Sequence, residues 1–368
     1  MLKKVKKPAL DVAKYPTGLD DKVEDFESSV LLQQQRKPQI LGIVGLGGVG
    51  KTTLAKEFYN SRKSEYHRSC FLFDVRSNPL NSSQTKLLNS LTGSDNPVGS
   101  VDEGKGMLER LLSSTNALVI IDDVDHVDQL DALLPHQTGL HSNSLVLITS
   151  RNKDVLTSRV VDTSIYKLTG LNTQHSLELF CSHAFQQSYP LPGFESLVEK
   201  YLETCNGLPL SLKVFGALLY GKDISYFEEQ LESLEQILPT TEIHQRFKIS
   251  YDSLSKHEQE IFLDIACFLR GENKNMAIRI WDGSGWKGRL GFANLENKCL
   301  VEVDSLNKIH MHDHVRDMGR EIAEDSRLPR RLWRWTENTI DDLLLPSPVC
   351  AVNSSIIFYF FKFFNHFT

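Results

Sequence analysis

Apolar and polar positions along the chain follow two patterns, and the change between them comes near residue 171. Before it, short and near-continuous apolar runs alternate with amphipathic stretches such as Thr53–Ser61 and Met107–Leu112. Uninterrupted apolar runs of this length are typical of strands buried on both faces of a parallel sheet. We therefore predict a β-α-β series with strands at Ile40–Val44, Cys70–Val75, Leu118–Ile121, Leu145–Thr149 and Ile165–Leu168.

After Leu171 the apolar positions recur at helical spacing instead. Leu197, Val198 and Tyr201, for example, fall on one face of a helix. Several such stretches in a row predict a small helical bundle. Its predicted helices are Ser176–Phe185, Leu197–Cys205, Leu208–Leu219 and Phe227–Leu238.

From about residue 240 the chain combines helices with one pair of short strands. Ser255 and Glu258 have the spacing of a capping box before an apolar helix at Ile261–Leu269. Leu300–Val303 and Lys308–Met311 predict two strands joined by a tight turn, and an amphipathic helix follows them. This order of elements predicts a winged helix.

The composition narrows the class of protein. Of 368 residues, 24% are charged and 40% hydrophobic, which is ordinary for a globular protein and excludes collagen-like, disulfide-scaffold and wholly disordered chains. A net charge of -6 creates no overall field that would attract nucleic acid or anionic lipid. The six cysteines stand singly, without the spacing of a zinc site, so we expect the cytoplasm, with access to the nucleus left open.

One apolar run near the chain end has nine residues, Ile356–Phe364, and includes Lys362. A membrane-spanning helix needs about 20 apolar residues, so this run is too short to be one. We expect residues 346–368 to be an unstructured tail, and an interfacial membrane anchor is the alternative.

The segment GLGGVGKTT fits the pattern GxxxxGK[ST] and lies between a predicted strand and a predicted helix. Glycines let backbone amides curl around phosphate oxygens, and the start of the helix adds further amides and its positive dipole end. Lys51 would reach the outer phosphates, and the hydroxyl of Thr52 would ligate Mg²⁺. The alternative is a glycine-rich turn that binds nothing. The predicted nucleotide contacts are Gly45, Gly47, Gly48, Val49, Gly50, Lys51, Thr52 and Thr53.

Two further strands end in charged residues. The apolar run before Asp122 would place this carboxylate at the carboxyl edge of the sheet, where it would complete the Mg²⁺ shell. Asp123 would polarise a water for attack on the γ-phosphate, or it would simply begin the next loop together with Asp125. Arg151 ends the run LVLITSR and would sense a γ-phosphate, the alternative being an ion pair at the surface.

These motifs and their order resemble the NB-ARC nucleotide-switch module of plant intracellular immune receptors, the NLR proteins, and in particular the branch with an N-terminal TIR domain. The resemblance covers about residues 12–345. It rests on GLGGVGKTTLA (45–55), CFLFDVR (70–76), LVIIDDVD (118–125), LVLITSR (145–151), LELFCSHAF (177–185), CNGLPLSLKVFG (205–216), FKISYDSL (247–254), EQEIFLDIACF (258–268) and IHMHDHVRDMGREI (309–322).

The resemblance implies further contacts with the nucleotide. His312 would donate to the β-phosphate of ADP, and Asp313 would hold the loop that carries it. From the residues alone, His312 is equally a helix cap, and its neighbours His310 and His314 have no less claim. Pro209 is equally the first residue of a helix. The contacts implied on the adenine side are Thr17, Gly18, Leu19 and Pro209.

The expected fold is α/β, a P-loop NTPase sheet followed by a helical bundle and a winged helix. We divide the chain into a linker with the adenine-side segment (1–37), a nucleotide-binding domain (38–170), a helical subdomain (171–239), a winged-helix subdomain (240–345) and a tail (346–368). With no TIR domain before Met1 and no leucine-rich repeats after Leu345, we expect a fragment or a truncated product.

The function implied is an ADP/ATP-dependent switch in plant defence signalling, at most a slow Mg²⁺-dependent ATPase. The expected partners are an adenine nucleotide and either a second copy or a full-length receptor; nucleic acid and membrane are not expected. One alternative is a P-loop ATPase or kinase with steady turnover. The other is a DNA-binding regulator that uses a basic and aromatic cluster at the end of the winged helix. This cluster consists of Arg327, Arg330, Arg331, Trp333, Arg334 and Trp335.

Overall fold

A computed structural model of the chain describes residues 8–30, 39–95, 97–134, 139–160, 164–237, 247–283, 285–304 and 306–325. The predicted tail and the basic and aromatic cluster lie outside these residues. The chain forms two compact units. The first runs to Ser182 and includes Leu202–Leu212; the second consists of His183–Tyr201 and the chain from Lys213 onward. The five-part division by sequence stays a prediction.

The first unit is built on a five-stranded parallel sheet with the order β2-β3-β4-β1-β5. The predicted α/β fold with a parallel sheet is confirmed. All residues of β4, and all of β3 except Asp123, are buried, as expected for strands covered on both faces. The strands are β1 (Gln39–Val44), β2 (Arg68–Leu72), β3 (Ala117–Val124), β4 (Leu145–Ser150) and β5 (Ile165–Lys167).

Two strands of this sheet end earlier than predicted, β2 by three residues and β5 by one. β2 ends at Leu72 rather than Val75 because Asp74 adopts a left-handed backbone conformation with φ +50°. A residue in that conformation cannot continue the extended ladder. A single 3₁₀ turn at Val75–Ser77 follows.

Within the described residues, six α-helices belong to the first unit before the bundle. Their bounds are α1 (Leu19–Val30), α2 (Lys51–Arg62), α3 (Leu80–Thr92), α4 (Val101–Ser114), α5 (Val127–Leu133) and α6 (Lys153–Thr157). The helix α3 was not predicted, because its residues LNSSQTKLLNSLT are largely polar. It is held by buried Leu87, Leu88 and Leu91, and by Gln84, whose amide donates to the carbonyls of Val101 and Ala132.

The segment before the sheet is packed onto the first unit. Phe26 of α1 is fully buried and meets the rings of Phe58 and Tyr166 edge-on, at centroid distances of 5.3 and 5.4 Å. The hydroxyl of Tyr166 donates to Asp25 at 2.5 Å. Aromatic pairs of this geometry add to the burial energy, so α1 is fixed against α2 and β5.

The predicted bundle helices are present as α7 (Thr173–Ala184), α8 (Glu195–Cys205), α9 (Pro209–Leu219) and α10 (Ile224–Ile237). In the second unit the buried ring of Phe227 packs among Phe185, Phe194 and Tyr201, at centroid distances of 5.8, 4.8 and 6.0 Å. The hydroxyl of Tyr201 donates to the backbone oxygen of Phe227 at 2.8 Å.

The second unit continues into the predicted winged helix. Ser255 and Glu258 form the capping box in both directions, and the apolar helix after it ends in a π turn at Ile265–Leu269. Both strands are shorter than predicted: Glu302–Val303 pairs with Ile309–His310, whereas Lys308 forms a bridge with Asn273. The elements are α11 (Lys248–Asp252), α12 (Lys256–Asp264), α13 (Lys274–Gly283), α14 (Gly288–Asn297), β6 (Glu302–Val303), β7 (Ile309–His310) and α15 (Asp313–Asp325).

None of the helices within the described residues is both long and apolar enough to cross a membrane. The five cysteines in this part of the chain are free thiols, and four of them are buried: Cys70, Cys181, Cys205 and Cys267.

Candidate functional site

The loop from Gly45 to Gly50 joins β1 to α2 at the carboxyl edge of the sheet. Gly48 and Gly50 have φ of +78° and +102°, which residues with a Cβ rarely adopt. A Cβ on Gly45 would lie 2.7 Å from the backbone oxygen of Leu168. The glycines therefore allow a tight curl whose amides, with those of the first turn of α2, suit a phosphate.

Lys51 lies over this loop. Its side chain is 93% buried, and its ammonium donates to the backbone oxygens of Gly45 at 2.8 Å and of Leu46 at 2.9 Å. Val49 is buried beside Gly45, and its amide donates to the backbone oxygen of Leu46 at 3.4 Å, so its contact with a phosphate stays a prediction. A buried ammonium inside a ring of amides is a strong local attraction for an anion.

Asp122 forms a compact network with two hydroxyls. Thr52 at the start of α2 is 3.0 Å from both carboxylate oxygens, and Thr149 of β4 donates to one of them at 2.7 Å. Burial raises the pKa of Asp122, while the hydrogen bonds from the two threonines and the positive charge of Lys51 act in the opposite direction.

The Thr52 hydroxyl and the Asp122 carboxylate are oxygen donors of the kind that Mg²⁺ prefers, and they face each other beside the phosphate loop. Magnesium usually takes one or two carboxylates, with phosphates and waters completing its shell. The residues present therefore fit the predicted ion. Across the described residues, no group of three or more His, Cys, Asp and Glu side chains gathers as a cation site of its own.

Asp123 and Arg151 meet at the same edge. The pairing of β3 with β4 shifts between Ile121 and Val124, and Asp123 has φ +55° within this bulge. Its amide donates to Thr149 at 2.9 Å, and its carboxylate lies 3.5 Å from Nε of Arg151. The residue predicted to polarise water and the predicted γ-phosphate sensor thus form an ion pair.

The strand order explains why these groups converge. β4 lies between β1 and β3, and the register matches Val44 with Ser150 and Ser150 with Val124. Parallel strands end at one edge, so the phosphate loop, Thr149 and Asp122 come together there. No contact was predicted for Thr149, because the order of elements along the chain does not show which strands lie beside β4.

The turn before α9 contacts the phosphate loop. The amide of Leu210 donates to the oxygen of Gly48 at 3.3 Å, and a Cβ on Gly48 would lie 2.9 Å from that of Leu210. Gly207, with φ +68°, accepts from the amide of Leu171 at 2.8 Å. Pro209, the first residue of α9, therefore lies in a turn held directly against the loop.

Thr17, Gly18 and Leu19 form the turn that begins α1, in the same unit. Gly18 has φ +65°, and a Cβ there would lie 2.5 Å from Nδ1 of His175. His175 also lies 3.6 Å from a carboxylate oxygen of Asp21. The imidazole holds this turn from α7, a contact that the sequence analysis missed.

His312 belongs to the second unit, so its predicted contact with ADP stays a prediction. Its Nδ1 accepts the amide of His314 at 3.2 Å, the geometry of a helix cap. The neutral ring therefore carries its proton on Nε2, which is a donor. His310 is paired with Asp304 at 3.0 Å on the strand pair.

Two family models match the chain. The NB-ARC domain model covers residues 21–189, and the winged-helix domain of Roq1-like disease resistance proteins covers residues 255–326. The chain thus contains an NB-ARC domain and a Roq1-like winged-helix domain. Both matches fall where the P-loop sheet and the winged helix were found.

Among the relatives of this NB-ARC chain, the disease resistance protein RPV1 of Vitis rotundifolia is 37% identical over 333 residues, covering 89% of this chain and 24% of the relative. TMV resistance protein N of Nicotiana glutinosa is 33% identical over 328 residues, covering 86% and 28%. The chain thus spans about a quarter of the length of these relatives.

The fold has a counterpart among solved structures. A signal transduction ATPase with numerous domains and a tetratricopeptide repeat sensor, from Pyrococcus horikoshii, aligns with a TM-score of 0.53 at 16% identity. The alignment covers 88% of this chain and 48% of that one. At this identity the likeness concerns the fold.

Proposed function

We propose that this NB-ARC protein is an ADP/ATP-dependent switch of a plant immune receptor, resting with ADP and competent for signalling with ATP. The observation that carries the proposal is the gathering of Lys51, the Thr52–Asp122 pair and the Asp123–Arg151 pair at one edge of the sheet. These are the groups needed to hold a diphosphate and to distinguish it from a triphosphate.

The Asp123–Arg151 pair would make the distinction. A γ-phosphate offers the Arg151 guanidinium a stronger, doubly charged acceptor than the Asp123 carboxylate. With ATP the pair would separate, and Asp123 would then be able to polarise a water. With ADP the pair would stay closed, so the diphosphate state would persist.

Mg²⁺ would be held by Thr52 and Asp122, and when bound it neutralises charge on the outer phosphates. The ammonium of Lys51 would turn from the loop carbonyls to the phosphates. Thr149 would keep the Asp122 carboxylate oriented, because it donates to the oxygen that Thr52 also contacts.

The base would lie on the side of Thr17–Leu19 and Pro209. From the second unit, His312 would donate to the β-phosphate of ADP, and exchange for ATP would remove this contact. A ligand shifts such an equilibrium only through its differential affinity for the two states. Arg151 would favour ATP and His312 would favour ADP, and together they would supply the difference in affinity between the two states.

The protein partner would be a second copy of the chain or a full-length receptor, and the site of action the cytoplasm. Supporting this compartment, the cysteines described in both units are free thiols.

The test is to denature the purified chain and identify the released nucleotide by chromatography. We expect close to one ADP per chain, with negligible steady turnover of added ATP. Lys51→Ala is the matched variant, because it removes the loop ammonium and should lower affinity about tenfold to a hundredfold. A chain without nucleotide whose affinity is unchanged in Lys51→Ala contradicts the proposal; sustained turnover favours the enzyme alternative.

A further inference from the structure

A buried carboxylate anchors the first turn of α15. Asp313 is the first residue of this helix, and its side chain is only 7% exposed. Nη1 of Arg270 contacts Asp313 Oδ1 at 2.8 Å, and Nη2 of Arg316 lies 3.3 Å from the same oxygen. A charge this deeply buried is tolerated only with such partners.

Arg270 contacts Asp313 from outside α15, and it directly follows a π turn. α12 passes directly into the π turn at Ile265–Leu269, and Arg270 follows in extended conformation, with Gly271 at φ +87°. A π turn contains one extra residue, so the side chains after it are rotated by about 100° relative to an uninterrupted α-helix. The rotation directs Arg270 to Asp313.

α15 packs tightly on this π turn. A Cβ on Gly319 would lie 2.7 Å from the Cβ of Ala266 and 2.9 Å from Cε1 of Phe262. Nε of Arg320 donates to the backbone oxygen of Ala266 at 3.3 Å. The close contact fixes the register of α15 along the π turn, and the Arg270–Asp313 pair fixes its beginning.

The orientation of His312 depends on that beginning. Its Nδ1 accepts the amide of His314 in the first turn, and its ring stacks on that of His314 at a centroid distance of 5.6 Å. The backbone oxygen of His312 accepts from the amide of Arg316 at 2.9 Å. A change in the first turn would therefore move the ring and its Nε2–H.

We propose that Arg270, delivered by the π turn, is a positioning residue for His312. It holds Asp313, and through Asp313 it holds the first turn of α15 in the arrangement that makes Nε2 the donor. The contact of His312 Nε2 with ADP rests on the proposed function, whereas the arrangement of Arg270, Asp313 and His312 does not depend on that function.

The first test observes His312 directly, without nucleotide. In protein labelled with ¹⁵N-histidine, long-range ¹H–¹⁵N spectra should show His312 as a single Nε2–H tautomer, with its signals assigned by their loss in His312→Gln. We expect Arg270→Gln to yield mixed tautomers. Arg279→Gln, which changes an exposed arginine on α13, should match wild type. An unchanged His312 in Arg270→Gln overturns the proposal.

The second test measures the release of a fluorescent ADP. We expect Arg270→Gln to release it at least tenfold faster, Arg270→Lys to be intermediate, and Arg270→Asp combined with Asp313→Arg to return to within threefold of wild type. If Arg270→Gln fails to fold, Arg270→Lys serves in both tests. Altered tautomers with unchanged ADP release overturn the link to the nucleotide. Absence of ADP binding in wild type contradicts the proposed function alone, since the tautomer test stands apart from it.

Discussion

Asp122 combines two demands that oppose each other. Its carboxylate is 96% buried beside Thr52 and Thr149, in a place that suits a cation on a nucleotide. Without that cation, burial disfavours the charged form and raises the pKa. The buried Asp122 carboxylate therefore lowers the stability of the nucleotide-free protein, a cost that is common for side chains with a binding role.

We predict that Asp122→Asn stabilises the nucleotide-free protein, and increasingly so at higher pH. A carboxyl whose pKa is higher in the folded than in the unfolded chain contributes stability below about pH 4, and this contribution is lost as the pH rises through the folded pKa. Asparagine keeps hydrogen-bonding atoms but does not ionise.

The measurement is urea unfolding without nucleotide between pH 4 and pH 8. The difference in unfolding free energy between Asp122→Asn and wild type should widen as the pH rises. Glu109→Gln, an exposed carboxylate of α4, should show no such trend. A difference that narrows as the pH rises would refute the interpretation of this site.

Asp313 leads to a second prediction. Asp313→Val would leave Arg270 and the nearly buried Arg316 facing each other without their carboxylate, which is costly in a buried cluster. We expect ADP to dissociate at least tenfold faster, as measured by stopped-flow chase. Asp317→Asn changes the exposed partner of the same arginine and should stay within twofold of wild type. Equal rates for wild type and Asp313→Val would disprove the role given to Asp313.

At the level of elements, the phosphate loop and the turn before α9 act as one structure. Gly48 is both left-handed and in contact with Leu210, so a side chain there meets two obstacles. Gly93 is also left-handed, with φ +75°, but a Cβ there would meet nothing within 4 Å. A comparison of variants at the two glycines therefore separates the effect of backbone strain from the effect of the contact with Leu210.

We predict that Gly48→Ala and Gly93→Ala both lose about 1 kcal/mol of stability from the left-handed backbone, whereas only Gly48→Ala weakens nucleotide binding, at least tenfold. Adding Leu210→Gly to Gly48→Ala should restore part of the affinity, because it removes the Cβ that would lie 2.9 Å from the new side chain. Thermal unfolding and calorimetric titration check the two effects. Equal loss of affinity in both glycine variants would show that the contact does not matter.

Elements with a regular apolar pattern were predictable, and those fixed by tertiary contacts were not. The five strands and the capping box at Ser255 follow from local pattern. The polar helix α3 depends on burial of a few leucines and Gln84, and the end of β2 depends on one left-handed aspartate. The π turn leaves no mark on the apolar spacing of Ile261–Leu269.

The residues of the site also fall into those that the local sequence predicts and those that depend on tertiary contacts. The phosphate loop and Asp122 could be predicted from the sequence, because phosphate binding requires glycines and a lysine at fixed spacing, and the carboxylate follows an apolar strand. The roles of Thr149 and His175 depend on which strands and helices become neighbours. Arg151 pairs with Asp123, which the bulge in β3 brings within reach, and its contact with a phosphate stays a prediction.

At the scale of the whole molecule, residues with proposed nucleotide contacts come from both units. Lys51, Arg151 and Pro209 belong to the first, and His312 to the second. If both units bind one ADP, the ligand should stabilise both. The expected gain at a hundredfold excess over the dissociation constant is about 2.7 kcal/mol.

We therefore predict that hydrogen exchange slows on ADP addition in the phosphate loop and also in the first turn of α15. Asp313 and His314 are reporters for the second unit, and Lys51 and Thr52 are reporters for the first. Protection confined to the first unit would show that the winged helix takes no part in binding.

The ratio of ADP to ATP affinity in wild type and His312→Ala tests the proposed switch most directly. Titration calorimetry of each nucleotide with Mg²⁺ gives the ratio for both proteins. We predict that His312→Ala weakens ADP at least tenfold while ATP binding changes less than threefold, so that the preference shifts toward ATP. Equal weakening of both nucleotides, or none, would contradict a switch in which His312 distinguishes them.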